Sequence, residues 1–596
     1  MFFSLSIKWI LSILNFELNI NSLSLFNLED TQYFPIVYSL ADFNFSPTYL
    51  DNVYADKIIG FPLIGASLHS IFFSFMGIYS FMVLEYLFQI IFLIILFKFC
   101  LMIFKDHRKS FYFFIFLMLL YSIFGIITIY QDSTTFENLY YLFKNNFGTR
   151  YPRPLITGVL IFLGLYFILD FKNQLHQSFD SSYVAKTSII LGLLLNTFFY
   201  YFIIFSVLLF IVFCTSFSKK IFSKITFKKA ILFLFILSVF IIPFIFQNIY
   251  SEIDYSTRIG VIEINNDKRY FVITYLLKKL VSINFFPFLC LSLLSFYYSN
   301  KYLKKDSEML NIFFYFIISS ILSTIVFISF SPSVISIYHF VDIILFSFVL
   351  YPMLIFFTVI YEFLKKTKFS KILINDKVII ALTAIFLMLD GFYAVNDFSK
   401  KKESIKEAIK LENFLDDKKL HNTKLKLFSN DRIALNLWLL NNNNNLLISD
   451  GFTNSLKNSQ IEYNLINSLK HFGFSEKNFK NFISLGKSEV RNNFFLRLFN
   501  YRYQANSLYT YSDNRYYTEN FHDVIINTSP FRAQNQIIPE DEKMRLLDLF
   551  INHKVNNELT ADYIIINYSL VSKYFEILND DYDEIFSTKN YKVYSR

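Results

Sequence analysis

The feature that most constrains this chain is a succession of apolar stretches, each about as long as a membrane is thick. A helix needs about 20 mostly apolar residues to cross the hydrocarbon of a bilayer. Eight stretches meet this criterion, at residues 79–103, 111–130, 154–170, 230–249, 281–299, 311–330, 336–360 and 378–395, and a weaker one lies within 5–25. Residues 1–395 are therefore predicted to form an all-α polytopic membrane bundle of about nine spans.

Lysine and arginine cluster in alternate loops, which sets the predicted orientation. The basic loops lie at 105–109, 215–229, 301–305 and 365–377. Because basic loops stay in the cytoplasm, residues 26–60, 131–153, 250–279, 331–335 and everything after 395 should face the other side. In a bacterium that side is the periplasm, so we expect a multi-pass protein of the inner membrane. The formal charge of +9 sits between spans and does not indicate a nucleic-acid partner.

Three segments predict short helices in addition to full spans. Residues 187–214 are too short for two crossings, yet the loops on both sides should be cytoplasmic. A broken, re-entrant helix pair hinged near Asn196 satisfies both conditions. The alternative is a single span. Residues 58–78 are apolar but interrupted by Gly60, Pro62 and Gly65, which favours a half-inserted helix. Residues 267–280 alternate apolar and basic residues at helical spacing, as an interfacial helix does.

The last third of the chain has the composition of a water-soluble domain. Residues 396–423 predict a charged helical linker, and 424–596 predict a small α/β or α+β extracytoplasmic domain. Its strands are expected at 426–429, 446–449 and 561–567, its helices at 431–440, 476–485 and 540–551, and a terminal hairpin at 584–588 and 591–595. The domain contains no glycine-rich phosphate loop and no catalytic signature that would identify an active centre.

The order of these segments resembles that of GT-C-type glycosyltransferases. The resemblance rests on an acidic first external loop (LFNLEDTQYFPIVYSLADF), a GFPLIG half-helix, the broken helix pair, the external amphipathic segment and a C-terminal domain ending in NYKVYSR. It covers nearly the whole chain in architecture through weak local motifs. It implies transfer of a sugar from a polyprenyl-phosphate carrier to a glycan, lipid or protein acceptor on the external face.

The resemblance also implies a catalytic carboxylate just after the first apolar segment, where Glu29 and Asp30 stand. Such a group deprotonates the acceptor, or holds a metal ion that does so. Asp132, at the end of the 111–130 span, is the second candidate. Asp30 and Asp132 could share a divalent cation, although no cluster has metal-ligand spacing. The alternative for all three is helix capping or a solvated loop.

The residues Gly148 to Pro154 (GTRYPRP) form the most distinctive motif of the chain. Arg150 and Arg153 stand in a proline-stiffened turn at the external mouth of a span, and arginine binds phosphate through two hydrogen bonds. Arg258 and Arg269 are further phosphate candidates. For Arg150 and Arg153, the alternative is that they reach the membrane surface at a helix end without binding a ligand.

Polar residues inside a membrane are costly, so three of them are candidates for function. His339 and Asp342 lie three residues apart and share one helix face. They could position the pyrophosphate or the acceptor, or form a structural hydrogen bond between helices. Glu85 is a third candidate, expected to face into the bundle. Two other functions compete with a glycosyltransferase. One is a transporter or flippase of lipid-linked sugars, and the other is a non-catalytic envelope assembly protein. A transporter should show an internal repeat, and none is evident in the sequence.

Overall fold

The structure is a computed structural model. It describes residues 2–16, 20–28, 31–45, 63–130, 134–176, 180–215, 227–250, 261–263, 269–270, 273–274, 276–277, 280–281, 285–303, 307–331, 333–335, 338–367, 375–418, 425–442, 445–447, 458–484, 540–570 and 575–596.

Within these residues, the chain up to residue 418 is almost entirely helical. Its helices are α1 (Phe2–Asn15), α2 (Ile20–Asn27), α3 (Phe34–Ala41), α4 (Leu63–Met76), α5 (Tyr79–Phe104), α6 (His107–Tyr130), α7 (Thr134–Phe147), α8 (Leu155–His176), α9 (Ser181–Thr215), α10 (Phe227–Tyr250), α11 (Phe286–Tyr302), α12 (Ser307–Phe330), α13 (Tyr338–Lys366) and α14 (Asp376–Lys418). A 3₁₀ turn, Thr31–Tyr33, precedes α3, and two short strands, β1 (Val261–Glu263) and β2 (Ser333–Ile335), pair antiparallel.

Seven of the described helices are long and apolar enough to cross a membrane. They are Tyr79–Phe104, His107–Thr128, Ser181–Thr215, Phe227–Gln247, Met309–Phe330, His339–Lys366 and Ile380–Lys418, and Leu155–Phe171 is a shorter apolar helix. The expected helical architecture, with several candidate membrane spans, is thus present. A short apolar helix, α4, forms within the predicted segment 58–78; it ends at Met76, and the Gly77 that follows is in the left-handed region (φ 56°).

The weak span expected within 5–25 is wrong as a single helix, because this segment forms the two short helices α1 and α2. Trp9 and Leu23 pack with Phe398 and Ile405 of α14. The backbone N–H of Ser22 also donates to Glu412 Oε2 at 3.0 Å. Both helices therefore lie beside the part of α14 that follows residue 395, where Trp9 and Leu23 are buried.

Helix α9 is broken at Phe198, whose φ of −155° and ψ of 80° are not helical. The break lies two residues beyond the predicted hinge at Asn196. On the first arm, Tyr183 lies against Phe171 near the end of α8. A Cβ placed on Gly164 of α8 would come within 3.6 Å of Leu194 on the first arm and 2.7 Å of Phe205 on the second. The two arms therefore lie side by side against α8, as a re-entrant pair does.

Helix α14 runs without interruption from the last apolar segment into the expected linker, ending at Lys418. A mixed five-stranded sheet follows, with strand order β4-β3-β5-β7-β6. Its elements are β3 (Lys426–Ser429), α15 (Arg432–Asn442), β4 (Asn445–Leu446), α16 (Asn458–His471), α17 (Glu476–Ile483), α18 (Glu540–Asn552), a 3₁₀ turn (Asn557–Leu559), β5 (Tyr563–Asn567), β6 (Asp583–Ser587) and β7 (Tyr591–Ser595). Strand β3 pairs parallel with β4 and β5, whereas β7 pairs antiparallel with β5 and β6.

The sheet domain and the first loop segment share one apolar core. Phe34 of α3 and Trp438 of α15 belong to the same buried cluster, and neither is exposed to solvent. The Asn436 side-chain amide also donates to the Thr31 carbonyl at 3.1 Å. The domain thereby fixes the position of the 3₁₀ turn, Thr31–Tyr33, which borders the candidate site.

Candidate functional site

The site is built around the turn from Gly148 to Pro154, which connects α7 to α8. The Gly148 N–H donates to the Lys144 carbonyl at 3.0 Å. A Cβ on Gly148 would lie 2.6 Å from that oxygen, so only glycine allows so close an approach. The Tyr151 ring is 1% exposed and lies 4.0 Å from the His69 ring. The turn is therefore held to α7 at Gly148 and against α4 at Tyr151, which fixes the backbone that carries Arg150 and Arg153.

Arg150 and Arg153 contact one another and two other elements, the break in α9 and the 3₁₀ turn. Arg150 Nε donates to the Arg153 carbonyl at 2.7 Å. The Arg153 guanidinium lies 4.6 Å from the centre of the Phe198 ring, at the break in α9. Its Nη2 is 3.5 Å from the Tyr33 hydroxyl, at the end of the 3₁₀ turn. The cation–π contact holds the guanidinium against the ring, and its N–H groups are hydrogen-bond donors.

His339 and Asp342 reach the same place from the first turn of α13. The His339 ring centre is 5.0 Å from that of Phe198, and the charges of Arg150 and Arg153 both act on it. Asp342 is 6% exposed, and its Oδ1 has no hydrogen-bond partner among the described residues. We call Arg150, Arg153, His339 and Asp342 the arginine cluster.

The arginine cluster also has neighbours on its inner side. Tyr201, on the second arm of α9, is close enough to feel the charge of Asp342. Its hydroxyl donates to Asn146 Oδ1 at 2.7 Å, and both side chains are buried. Two permanent cations and one buried carboxylate give the cluster a net positive charge. Such a group can bind a dianion, such as a phosphate ester, at the mouth of the bundle.

The predicted site residues have different outcomes. Four of them form the arginine cluster. Arg269 is not one of these four, and its Nη2 donates to the Ser331 carbonyl at 3.2 Å, just after the end of α12. Glu85 is buried as expected, paired with Lys8 at 3.2 Å. The remaining candidates, Glu29, Asp30, Asp132 and Arg258, lie outside the described residues.

Tyr33, Phe198, Tyr201 and Asn146 were not predicted from the sequence. Phe198 begins the run FFYY, two residues after the predicted hinge at Asn196, so its place near a backbone break was recognisable. Tyr33 follows the acidic pair of the first loop by three residues. Its contact with Arg153 spans 120 positions of sequence, and no local pattern predicts a contact of that kind.

The geometry also separates the arginine cluster from an apolar cavity of about 240 Å³ between α6, α13 and α14. On α13, this cavity begins at Phe356, whereas the cluster ends at Asp342. Fourteen residues of helix span about 21 Å. The cavity therefore cannot hold the first isoprene units of a lipid whose phosphate sits on the arginines.

In the described ranges, no three His, Cys, Asp or Glu side chains converge on a point where a metal ion could bind. The expected cation between Asp30 and Asp132 falls on residues outside those ranges and stays a prediction.

Comparison with known proteins adds no family. No family model matches the chain, and no curated protein matches it.

Proposed function

We propose that this protein is a membrane glycosyltransferase. It would move a sugar from a polyprenyl-phosphate carrier to an envelope acceptor on the extracytoplasmic face. The observation that carries the proposal is the convergence of Arg150, Arg153, His339 and Asp342 at one end of the bundle. These residues are brought together by a stiff loop, a helix break and the first turn of α13.

The two arginines supply what a departing carrier phosphate requires. Transfer breaks the bond between the sugar C1 and a phosphate oxygen, so negative charge grows on that phosphate. Donors fixed before the reaction stabilise this charge without reorganising. The stacking of Arg153 on Phe198 and the bond from Arg150 to the Arg153 carbonyl fix both side chains in this way.

The proton balance requires a carboxylate near the acceptor. In the inverting reaction, an acceptor hydroxyl loses its proton to the carboxylate while its oxygen attacks C1, and the carrier leaves as polyprenyl phosphate. Asp30, with Glu29 beside it, is the proposed base, and Asp132 the second candidate. Tyr33, three residues after Asp30, lies 3.5 Å from Arg153, which supports a base close to the phosphate.

Donor turnover tests this proposal without knowledge of the acceptor, because water can replace the acceptor hydroxyl. The full chain in lipid nanodiscs would be incubated with a polyprenyl-phosphate-linked sugar, and the release of free sugar would be measured. Wild type is expected to release sugar, and Asp30→Asn to lose at least about 100-fold in rate. Asp42→Asn, an exposed residue of the same loop segment, is the matched control and should keep the wild-type rate.

Two other outcomes are informative. Equal turnover by wild type and Asp30→Asn would remove Asp30 from the base role. Passage of the intact sugar lipid across a proteoliposome membrane, with no bond broken, would favour the transporter. The proposed side is tested by a cysteine at the exposed Lys589 of the domain, which should react with an impermeant maleimide from the periplasm.

A further inference from the structure

The apolar cavity between α6, α13 and α14, which we call the groove, opens on the outer surface of the helices. Its volume is about 240 Å³. Two of the side chains that line it, Phe356 and Ile360, are 60% and 38% exposed. All three helices are candidate membrane spans, so this outer surface would face the hydrocarbon of a bilayer. The tail of a lipid can therefore enter the groove from the side.

The wall of the groove offers mainly apolar contacts. Four side chains of α6 and five of α13 form it together with Leu382 of α14, and all of them are aliphatic or aromatic. A polar group that leaves water without gaining hydrogen-bond partners is destabilised. The groove therefore suits a hydrocarbon chain and not a sugar or a phosphate.

Lysines stand at one end of the groove. Lys365 continues the row of Phe357 and Tyr361, which both line the groove, at the four-residue spacing that shares one helix face. Lys105 follows Phe104, whose ring centre is 5.8 Å from that of Phe357. Both lysines are exposed. A negatively charged headgroup can therefore reach them while its tail occupies the groove.

The charge at this end stays positive after every carboxylate is counted. Residues 105–109 and 362–377 hold eight Lys or Arg side chains against three Asp or Glu, a formal charge of +5. Two of the lysines lie outside the described residues, and without them the formal charge is +3. Lys109 is paired with Glu362 at 3.1 Å. Even if each of the other two carboxylates also pairs with a cation, positive charge remains.

We propose that the groove holds an acyl chain of an anionic phospholipid, whose headgroup meets Lys365 and Lys366. A neutral lipid would gain the apolar contacts without this attraction. The groove lies about 21 Å along α13 from Asp342 of the arginine cluster. The inference therefore goes beyond the proposed function and does not depend on it. A phospholipid has two tails and the polyprenyl carrier has one, so the two lipids are also distinct in shape.

Tryptophan fluorescence can report which lipid contacts the groove, because brominated acyl chains quench it on contact. Phe356→Trp places the reporter at the mouth of the groove in the full chain, reconstituted in vesicles of equal parts phosphatidylglycerol and phosphatidylcholine. Trp9 is replaced by phenylalanine, and Trp438 is fully buried in the sheet domain. Each lipid carries the bromine in turn. We expect phosphatidylglycerol to quench with an apparent affinity about fivefold higher, the gain from about one lysine beside an anionic headgroup.

Ile242→Trp is the matched control. Ile242 of α10 is 60% exposed, like Phe356, and lies about 21 Å along its helix from Lys228. This distance exceeds the Debye length of about 8 Å at physiological ionic strength. Both lipids should therefore quench the control reporter equally, within about twofold.

Removal of the positive charge should remove the preference at the groove. In the Phe356→Trp protein, Lys365→Ala together with Lys366→Ala should bring the two lipids within about twofold of one another. Raised salt concentration should weaken the preference with every lysine in place. The salt measurement tests the same attraction even where the double variant does not fold.

Four results would overturn the proposal. Equal quenching of the Phe356→Trp reporter by both lipids would mean that the groove does not select an anionic lipid. The same preference at Ile242→Trp would mean that anionic lipid gathers around the helices in general. A preference that survives raised salt would not be electrostatic. Displacement of phosphatidylglycerol by polyprenyl phosphate would identify the groove as a carrier site.

Discussion

Replacement of Arg153 by alanine should weaken binding of polyprenyl phosphate about 10- to 100-fold. A hydrogen bond to a charged group contributes about 1.5–3 kcal/mol, and about 1.4 kcal/mol corresponds to a factor of ten in affinity. The Phe198 ring, 4.6 Å from the guanidinium, acts differently. The ring contacts the guanidinium and has no donor for a phosphate, so Phe198→Ala should weaken binding only about two- to tenfold, through lost orientation of the guanidinium.

The double variant separates orientation from direct contact. If Phe198 acts only through Arg153, then Phe198→Ala should have no effect once Arg153 is alanine. The coupling energy would then equal the whole effect of the single Phe198→Ala variant. Native mass spectrometry of the nanodisc complex, titrated with polyprenyl phosphate, measures all four affinities. Arg108→Ala, an exposed arginine at the far end of the helices, is the control and should bind as wild type does.

Two results would refute this reasoning. Affinity of Arg153→Ala within twofold of wild type would mean that the guanidinium does not contact the phosphate. Strictly additive effects of the two substitutions would mean that Phe198 does not orient Arg153.

Three further predictions concern the turn and the sheet domain. Gly148→Ala should destabilise the turn by about 1–3 kcal/mol, because its Cβ would lie 2.6 Å from the Lys144 carbonyl oxygen; binding of polyprenyl phosphate should fall with it. Burial lowers the pKa of His471 in the folded domain. Protonation of this side chain therefore favours the unfolded domain, and the free energy of unfolding should fall as pH drops below about 6.5. His471→Gln should flatten this dependence. Arg545→Ala should cost about 1–3 kcal/mol, because Glu462, which accepts two of its hydrogen bonds at 2.8 and 3.0 Å, would stay buried.

The intrinsic fluorescence of Trp438 measures the last two effects in urea titrations of the full chain. Trp438 is fully buried in the sheet domain, and the chain has one other tryptophan, Trp9, which can be replaced by phenylalanine. Lys543→Ala removes a more exposed pair on the same helix as Arg545 and should cost less than about 1 kcal/mol. A midpoint that is unchanged in Arg545→Ala, or a pH profile unaltered by His471→Gln, would contradict the corresponding prediction.

The fold could be predicted wherever one local pattern decides the structure. Strand β3, Lys426–Ser429, lies at the expected residues, and the hairpin of β6 and β7 agrees within one residue. Apolar length identified the long helices in the same way. Apolar length gave a wrong prediction at residues 5–25, which do not form one crossing helix. Apolar residues of this segment pack against α14 beyond its own apolar part. Apolar residues look alike whether they face lipid or another helix.

The site could be predicted only in part, because its residues meet through tertiary contacts. The spacing of Arg150 and Arg153, and of His339 and Asp342, identified each pair separately. That the two pairs share one place depends on the break at Phe198, which brings an aromatic ring between them. A cavity of about 490 Å³, lined by residues that include Lys400 of α14 and Arg432 of α15, depends on the packing of the sheet domain against α14. No spacing along the chain encodes it.

The central claim is that the arginine cluster holds the phosphate of a polyprenyl carrier. Cryo-electron microscopy of the full chain in nanodiscs containing polyprenyl phosphate tests this most directly. We expect phosphate density within about 3 Å of the Arg153 guanidinium nitrogens, with the lipid tail leaving toward the bilayer. Density for the carrier phosphate at the Lys105 end of the helices, more than 20 Å from Arg153, would contradict the account.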